Sequence, residues 1–340
     1  MYRWLRLAIT ILLCALLLIY AVDVHLVLET LARFQPLWAI AALAAFTLDR
    51  LLMSFKWGLL LEVRGYRIPL LQRLMLYCSA MMWGLALPST VGADGIRIVL
   101  ARRDGVRVDD ALATILVERG IGFISALLTA VMGLFILRAL LPPNAAYGHA
   151  ALICIACLLA GSAVLLFSFS PRALASIVRT LPERIVTSRV VRVLENLHHA
   201  YRSLTVDRRR LALFSVLTFT EQVLLIACYG VVAVALEVRF NGWFMLAAVP
   251  LAILVSRLPI SLDGIGIYEG IFMGVMTLGG VRPEDSLAIS IAARALQIVV
   301  WLPWWILLTA RSGAMRPSEA RASPSLVSQP PAAAGERAPQ

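Results

Sequence analysis

The chain has 340 residues, of which 61% are hydrophobic and 15% are charged, and its mean hydropathy is +0.85. Soluble domains carry about 25% charged residues, so this composition excludes an ordinary soluble domain and predicts an integral membrane protein. The net charge of +11 comes almost entirely from arginine, because Lys56 is the only lysine. The arginines cluster in short loops between apolar segments, so the positive-inside rule explains them without a nucleic-acid partner.

The apolar segments, taken in chain order, predict six transmembrane helices and two re-entrant hairpins in an all-α membrane protein. The expected full crossings are 7–22, 36–61, 111–137, 150–169, 211–236 and 286–310. Segments 74–87 and 243–256 are shorter than the roughly 20 apolar residues of a full crossing. A break rich in proline and glycine follows each of them, and irregular backbone at membrane depth needs a surround of protein or water. The residues predicted to form these breaks are Pro88, Gly92, Gly95, Pro259, Gly264 and Gly266.

The charges of the loops predict the orientation of these segments. Arginines flank the first short segment, among them Arg73 before it and Arg107 after it. Because cytoplasmic loops are enriched in arginine, both flanks and both termini are expected in the cytoplasm. Residues 183–205 have an apolar stripe opposite a basic face and predict an amphipathic linker helix at the cytoplasmic surface. The membrane domain is expected to span 1–311, and 312–340 to form a disordered cytoplasmic tail.

Two parts of the sequence resemble each other at a distance of about 172–175 residues. Segment 107–113 matches segment 282–288, and in both copies a second arginine follows twelve positions after the first, at Arg119 and Arg294. Three predicted crossings separate the copies, so the second copy should be inverted relative to the first. Inverted repeats with broken helices recur in transporters. The pattern predicts repeat halves of about 36–138 and 211–310.

Some charged side chains lie within the apolar segments, where each costs about 2.5–3.5 kcal/mol at the bilayer centre. Asp49 and Arg50 are adjacent and are expected to point apart on a helix, so a structural and a functional role both remain open for them. Glu221 has no local partner in the sequence and could be protonated in the bilayer.

The repeated arginines, Arg119 and Arg294, favour a functional role. Glu118 or Glu269 could instead neutralise them as internal ion pairs. The guanidinium group offers a planar fork that fits phosphate oxygens and does not lose its proton in proteins. Two such groups facing a central cavity would stabilise a phospholipid headgroup in transit. The residues predicted to bind the headgroup are Asp94, Arg97, Glu118, Arg119, Glu269 and Arg294. No catalytic residue, metal site or cofactor is predicted.

At these motifs the chain resembles the membrane region of lysylphosphatidylglycerol synthases and the related stand-alone flippase-like family. The family's first block is carried here by Pro88, Gly92, Ala93, Asp94 and Arg97, with Glu118 and Arg119 after it. Its second block is carried by Pro259, Asp263, Gly264, Gly266 and Glu269, followed by Arg294. Three residues depart from the family pattern, namely Ala93 and Asp263 in place of glycines and Tyr268 in place of arginine.

The resemblance implies a flippase-like protein of the bacterial inner membrane that handles lipid without the synthesis step. The expected cargo is a phospholipid, a modified phospholipid or a lipid-linked intermediate with an anionic or phosphate-bearing headgroup. Two alternatives stay open. One is a membrane-embedded transferase with Asp94, Glu118 or Glu269 as general base. The other is a non-catalytic accessory subunit for lipid or glycolipid modification, such as that of hopanoids or polyprenyl phosphates, working with a lipid-modifying enzyme as its partner.

Overall fold

The computed structural model of the protein describes residues 2–18, 22–85, 90–141, 152, 155–156, 159–163, 207–256, 261 and 264–314, and no strand occurs within these ranges. The amphipathic linker expected at 183–205, most of the span expected at 150–169 and nearly all of the tail expected at 312–340 lie outside them. The helices with assigned bounds are α1 (Tyr2–Leu16), α2 (Val24–Ala32), α3 (Pro36–Val63), α4 (Leu70–Leu85), α5 (Thr90–Arg103), α6 (Val108–Leu140), α7 (Arg208–Ala235), α8 (Gly242–Ser256), α9 (Ile267–Leu278) and α10 (Pro283–Ala314).

Four of the described helices, α3, α6, α7 and α10, are long and apolar enough to cross a membrane. They coincide with four of the crossings expected from the sequence. Many of their large apolar side chains are exposed, including Leu37, Phe135, Val216 and Ile306. Such surfaces are stable against lipid chains and would be costly in water. The protein is therefore an all-α, multi-pass membrane protein.

The short helices form two hairpins, because α4 contacts α5 and α8 contacts α9. With 12 to 16 residues each, these helices are about 18–24 Å long and fall short of the roughly 30 Å hydrocarbon core. In the first hairpin the two helices approach closely, since a Cβ added at Gly84 would lie 2.6 Å from the Cβ of Ala93.

The first hairpin corrects one prediction from the sequence. Gly92 and Gly95 were expected in an irregular break, but both lie within α5, which begins at Thr90. Glycine costs only about 1 kcal/mol in a helix, and neighbouring packing overrides that preference. Both glycines line a cavity of about 690 Å³ between α4, α5 and the end of α10. Pro88 lies outside the described residues.

The second hairpin has irregular backbone before α9. Gly264 and Gly266 have φ angles of +72° and +84°, a region that side chains with a Cβ rarely adopt. The turn is also tight, because a Cβ at Gly264 would lie 2.6 Å from the Cβ of Ser256. Pro259 and Asp263 lie outside the described residues.

The packing of α3–α6, called here the first half, corresponds to that of α7–α10, called the second half. The helices α3 and α7 pack extensively against each other at the centre. The hairpin helix α4 packs on α10 of the second half, and correspondingly α8 packs on α6 of the first half. The contact between α6 and α8 is close, since a Cβ at Gly133 would lie 2.6 Å from the Cα of Ala247. Each half therefore supports the hairpin of the other.

The turns of the two halves also correspond. After α3 and α7, Gly65 and Glu237 both have positive φ, at +84° and +56°. After α5 and α9, Gly105 and Gly280 also have positive φ angles, of +83° and +81°. At each of these four turns the next N–H donates a hydrogen bond to a carbonyl five residues earlier in the helix, at 3.0–3.2 Å. This is the arrangement of a Schellman cap.

A carboxylate in the first turn fixes the start of α6. Asp110 accepts hydrogen bonds from Arg64 at 2.7 Å and from the hydroxyl of Tyr66 at 2.6 Å. Tyr66 lies in the loop before α4, and burial together with its hydrogen bond to Asp110 raises the pKa of its phenol. In α10 the corresponding Asp285 accepts from Arg282 at 2.8 Å and from Thr30 at 2.8 Å. Both carboxylates also complement the positive end of a helix dipole.

Candidate functional site

Two ion pairs occupy corresponding places in the two halves. In the first half, the guanidinium of Arg119 on α6 donates a hydrogen bond to Asp94 on α5 at 2.8 Å. In the second half, Arg294 on α10 donates to Glu269 on α9 at 3.0 Å. In each pair the carboxylate lies 25 residues before the arginine. Both pairs thus join the second helix of a hairpin to the long helix that follows it.

The carboxylates of these pairs are enclosed and the arginines are more open. Asp94 and Glu269 are both buried. The side chains of Arg119 and Arg294 are 45% and 30% exposed, respectively. Both arginine side chains are therefore partly accessible from outside the helix bundle, while the carboxylates compensate their charge from within.

Glu269 also fixes the break before α9. One of its carboxylate oxygens accepts the bond from Arg294, and the other accepts from the backbone N–H of Gly266 at 2.6 Å. A carboxylate in this position satisfies a backbone donor that the helix start leaves unpaired. The same side chain thus connects the glycine turn, the start of α9 and the arginine of α10.

A cavity of about 380 Å³ opens beside the Glu269–Arg294 pair. Its volume lies within the range of about 300–1,000 Å³ that is typical of small-molecule sites. The remaining lining side chains are apolar, and two of them come from the end of the first helical segment. The residues that line the cavity are Leu17, Leu18, Ile265, Gly266, Glu269, Leu287, Ile291, Arg294, Ala295 and Ile298. One ion pair at the wall of an apolar cavity suits an amphiphile, whose charged group and hydrocarbon need different surroundings.

Arg97 and Glu118 are brought together by the structure in an enclosed pair. Arg97, which is 1% exposed, donates two hydrogen bonds to Glu118 at 2.8 and 3.3 Å. Its guanidinium carbon lies 4.9 Å from the ring centroids of both Trp57 and Tyr77. The Tyr77 hydroxyl donates to Glu118 at 3.2 Å. The two terminal NH₂ groups of the Arg97 guanidinium thus bond to Glu118, and the group lies close to two aromatic rings, so this pair joins α5 to α6.

One expectation about the buried charges was wrong, and one charge without a local partner has a distant one. Asp49 and Arg50 were expected to point apart, but the long arginine side chain folds back and donates two hydrogen bonds to Asp49. Glu221 has no local partner in the sequence, and in the structure Lys56 of α3, 165 residues away in the chain, donates to it at 2.8 Å. Both carboxylates thus have a cationic partner, which is adjacent in the sequence for Asp49 and distant in the sequence for Glu221.

The six residues predicted to bind a headgroup therefore fall into two groups. Asp94, Arg119, Glu269 and Arg294 form the two corresponding pairs. Arg97 and Glu118 form the enclosed pair. The sequence patterns did not point to Trp57 and Tyr77, the neighbours of the enclosed pair, or to Lys56 as parts of the site. Lys56 carried a signal, since it is the only lysine of the chain and interrupts an apolar segment.

Comparison with known proteins identifies the family of the chain. The family model described as the lysylphosphatidylglycerol synthase TM region matches residues 3–304, and a search of curated proteins gives no match. The matched range includes both hairpins and both ion pairs. This family consists of membrane proteins connected with lipid modification or flipping. Since the match extends over most of its length, the chain belongs to the family of the lysylphosphatidylglycerol synthase transmembrane region.

Proposed function

We propose that this protein is a lipid translocase, which moves a phospholipid, a modified phospholipid or a lipid-linked intermediate between the leaflets of the bacterial inner membrane. The observation that carries the proposal is the duplicated pair of a buried carboxylate and a partly exposed arginine, Asp94–Arg119 and Glu269–Arg294. Each pair lies beside a hairpin too short to cross the bilayer. Two equivalent sites in two halves are what a carrier needs in order to offer similar surroundings to a headgroup from either leaflet.

The proposed topology is an inverted repeat of six crossings and two re-entrant hairpins, with both termini in the cytoplasm. The corresponding turns, the exchanged packing of α4 and α8, and the short length of the hairpin helices support it. Re-entrant helices are tolerated where protein or water surrounds their polar ends. The membrane domain would extend over 1–311, with halves of about 36–138 and 211–310.

The proposed cargo carries an anionic or phosphate-bearing headgroup. Arg119 and Arg294 offer planar donor forks that match phosphate oxygens. Asp94 and Glu269 hold these forks in place from the buried side, so the guanidinium groups would be oriented before a lipid arrives. The apolar lining of the cavity beside Arg294 would accommodate the hydrocarbon next to the headgroup. Arg97 and Glu118, being enclosed, would support this arrangement without touching the lipid.

Reconstitution into vesicles tests the proposal. The probe is phosphatidylglycerol with a fluorescent acyl chain, and the readout is the fraction of fluorescence that dithionite cannot reduce from outside. A translocase lowers this protected fraction relative to protein-free vesicles. Protected fractions equal to those of empty vesicles, for this probe and for anionic lipid-linked phosphates alike, would contradict the proposal.

Variants of the two arginines make the test specific. Arg119→Gln and Arg294→Gln should each slow transport by about tenfold or more, since a charge-assisted hydrogen bond contributes about 1.5–3 kcal/mol. Arg107→Gln is the matched control, because the Arg107 side chain is exposed and its one described ion pair is with Asp109. If all three variants transport lipid as the parent does, the paired arginines do not carry the headgroup.

A further inference from the structure

The first hairpin borders a groove that the proposed transport does not use. The groove consists of two adjoining cavities of about 690 and 320 Å³, which share Leu100, Arg103 and Leu308 in their walls. It runs between α4, α5 and the end of α10 and is called here the lateral groove. Trp83 and Val99 line one of the cavities and are 43% and 56% exposed. Exposed apolar walls of this kind indicate that the groove faces the lipid around the protein.

The lateral groove and the ion pairs lie on different faces of α5. Gly92, Gly95 and Val99 recur at intervals of three and four residues and line the groove, as residues on one face of a helix do. Asp94 and Arg97 instead bond to charged side chains of α6. The glycines leave room in the groove, since a Cβ added at Gly95 would have no heavy atom within 4 Å. The groove is therefore a separate feature from the Asp94–Arg119 pair.

A difference between the two halves explains why the groove exists beside the first hairpin. The offset of 175 residues that relates Arg119 to Arg294 also relates Gly133 of α6 to Leu308 of α10. Gly133 lets α8 approach α6 so closely that a Cβ there would lie 2.6 Å from the Cα of Ala247. The side chain of Leu308 needs more room between α4 and α10, and it lines the space that remains.

One end of the lateral groove is basic. Arg103, in the last turn of α5, and Arg311 of α10 line this end, and neither has an ion pair within the part of the chain that the structure describes. The contact described for Arg311 is with the sulfur of Met75 at 3.9 Å. Asp104 also lines this end, and its carboxylate bonds to Gln72. Since two guanidinium groups face one carboxylate, this end attracts an anion.

The length of the groove matches one leaflet of a bilayer. Eleven residues of α5 separate Gly92 from Arg103, which corresponds to about 16 Å along a helix. One leaflet takes up half of the roughly 30 Å hydrocarbon core, or about 15 Å. A phospholipid with its headgroup at the arginines would thus extend its acyl chain past the glycines towards Trp83.

We propose that the lateral groove binds an anionic phospholipid of the leaflet on its basic side. The phosphate accepts hydrogen bonds from Arg103 and Arg311, and one acyl chain lies along the glycine face of α5. The bound lipid fills the space between the first hairpin and α10 and stays in place there. This site goes beyond the proposed transport and does not depend on it.

Photo-cross-linking in vesicles tests the site. The probe is phosphatidylglycerol with a diazirine at the end of one acyl chain, diluted in phosphatidylcholine vesicles that contain the full chain, and mass spectrometry locates the label. The label should appear at Trp83 and in the first turns of α5. Phosphatidylcholine with the same diazirine should label these residues about fivefold less or weaker still, because its headgroup has no net charge. Equal labelling by the two probes would overturn the proposal.

Charge variants test the basic end. At low probe content, Arg103→Gln and Arg311→Gln should each lower the labelling by phosphatidylglycerol by about fivefold. Arg102→Gln is the matched control, because Arg102 is the exposed neighbour of Arg103 and lines neither cavity. An equal loss in all three variants would show general attraction to a basic surface, and no loss in any of them would show that charge is irrelevant. Either result would overturn the proposal.

A steric variant tests the path of the acyl chain. Gly95→Leu places a side chain in the open space of the groove and improves the helix propensity of α5, so the variant should fold and lose the label. Gly274→Leu is the matched control on α9, where an added Cβ also has no heavy atom within 4 Å, and it should keep the label. Labelling that persists in Gly95→Leu would overturn the proposal. Labelling of the groove in a protein that transports no lipid would support this site and contradict the translocase.

Discussion

Replacing Arg97 by methionine should destabilise the protein strongly, and replacing its partner as well should restore most of the loss. Arg97→Met removes a guanidinium that is 1% exposed and donates two hydrogen bonds to Glu118. It leaves Glu118 buried with only the hydroxyl of Tyr77 at 3.2 Å and more distant cations for compensation. Methionine retains much of the arginine stem and its contact with the rings of Trp57 and Tyr77.

The size of the effect follows from this burial. Breaking a buried ion pair by removing one partner costs about 3–5 kcal/mol, because the other charge is left uncompensated. The double variant Arg97→Met with Glu118→Met removes both charges, and such replacements are often neutral or stabilising. Arg107→Met is the control on an exposed pair, since the Arg107 side chain is 68% exposed. Its effect should stay within about 1 kcal/mol.

Unfolding by titration with sodium dodecyl sulfate in mixed micelles, followed by circular dichroism, measures these differences. The expected order of stability is parent, Arg107→Met and the double variant close together, with Arg97→Met well below them. A single variant as stable as the parent would show that Arg97 and Glu118 do not depend on each other. A double variant no better than Arg97→Met would show that the loss comes from packing rather than from the orphaned charge.

Three further predictions concern the backbone and the topology. Gly105→Ala should destabilise the protein by about 1–2 kcal/mol in the same titration, because Gly105 has a φ angle of +83°. An unchanged unfolding midpoint would contradict the left-handed conformation of this turn. Gly133→Ala should destabilise the protein, because the added methyl group would lie 2.6 Å from the backbone of α8. Gly122→Ala on the same helix has open space around the added methyl group, so this variant should stabilise the protein by about 0.5–1 kcal/mol. Single cysteines at Arg67 and Arg107 should react with an impermeant maleimide from the same, cytoplasmic side, and labelling from opposite sides would refute the re-entrant hairpin.

The long helices could be predicted from the sequence because their signal is local. An apolar run of sufficient length implies a helix that crosses the membrane, whatever it packs against. The break before α9 was also predictable from its glycines. In the structure both Gly264 and Gly266 adopt the positive φ angles that glycine permits. Gly92 and Gly95 have the same residue type but lie within α5. The difference comes from the packing of α5 against α4 and the end of α10, which composition does not reveal.

The partners of the buried charges were harder to predict. Glu118 and Arg119 are neighbours in sequence, yet they bond to different residues of α5, Arg97 and Asp94. Which carboxylate meets which arginine depends on the rotation of α5 about its own axis, and this depends on tertiary contacts. Lys56 and Glu221 lie 165 residues apart, so their pairing follows only from the contact between α3 and α7. The sequence indicated that the charges needed partners without identifying them.

The exchanged packing of the hairpins has a consequence for biosynthesis. Since α4 packs on α10, the first hairpin is synthesised long before the helix that covers it. Until then α4 and α5 lack a large part of their native surroundings, and the nascent chain depends on the insertion machinery or on lipid to shield them. A chain that stops before α10 would keep this surface uncovered, which makes it a substrate for membrane proteases rather than a functional fragment.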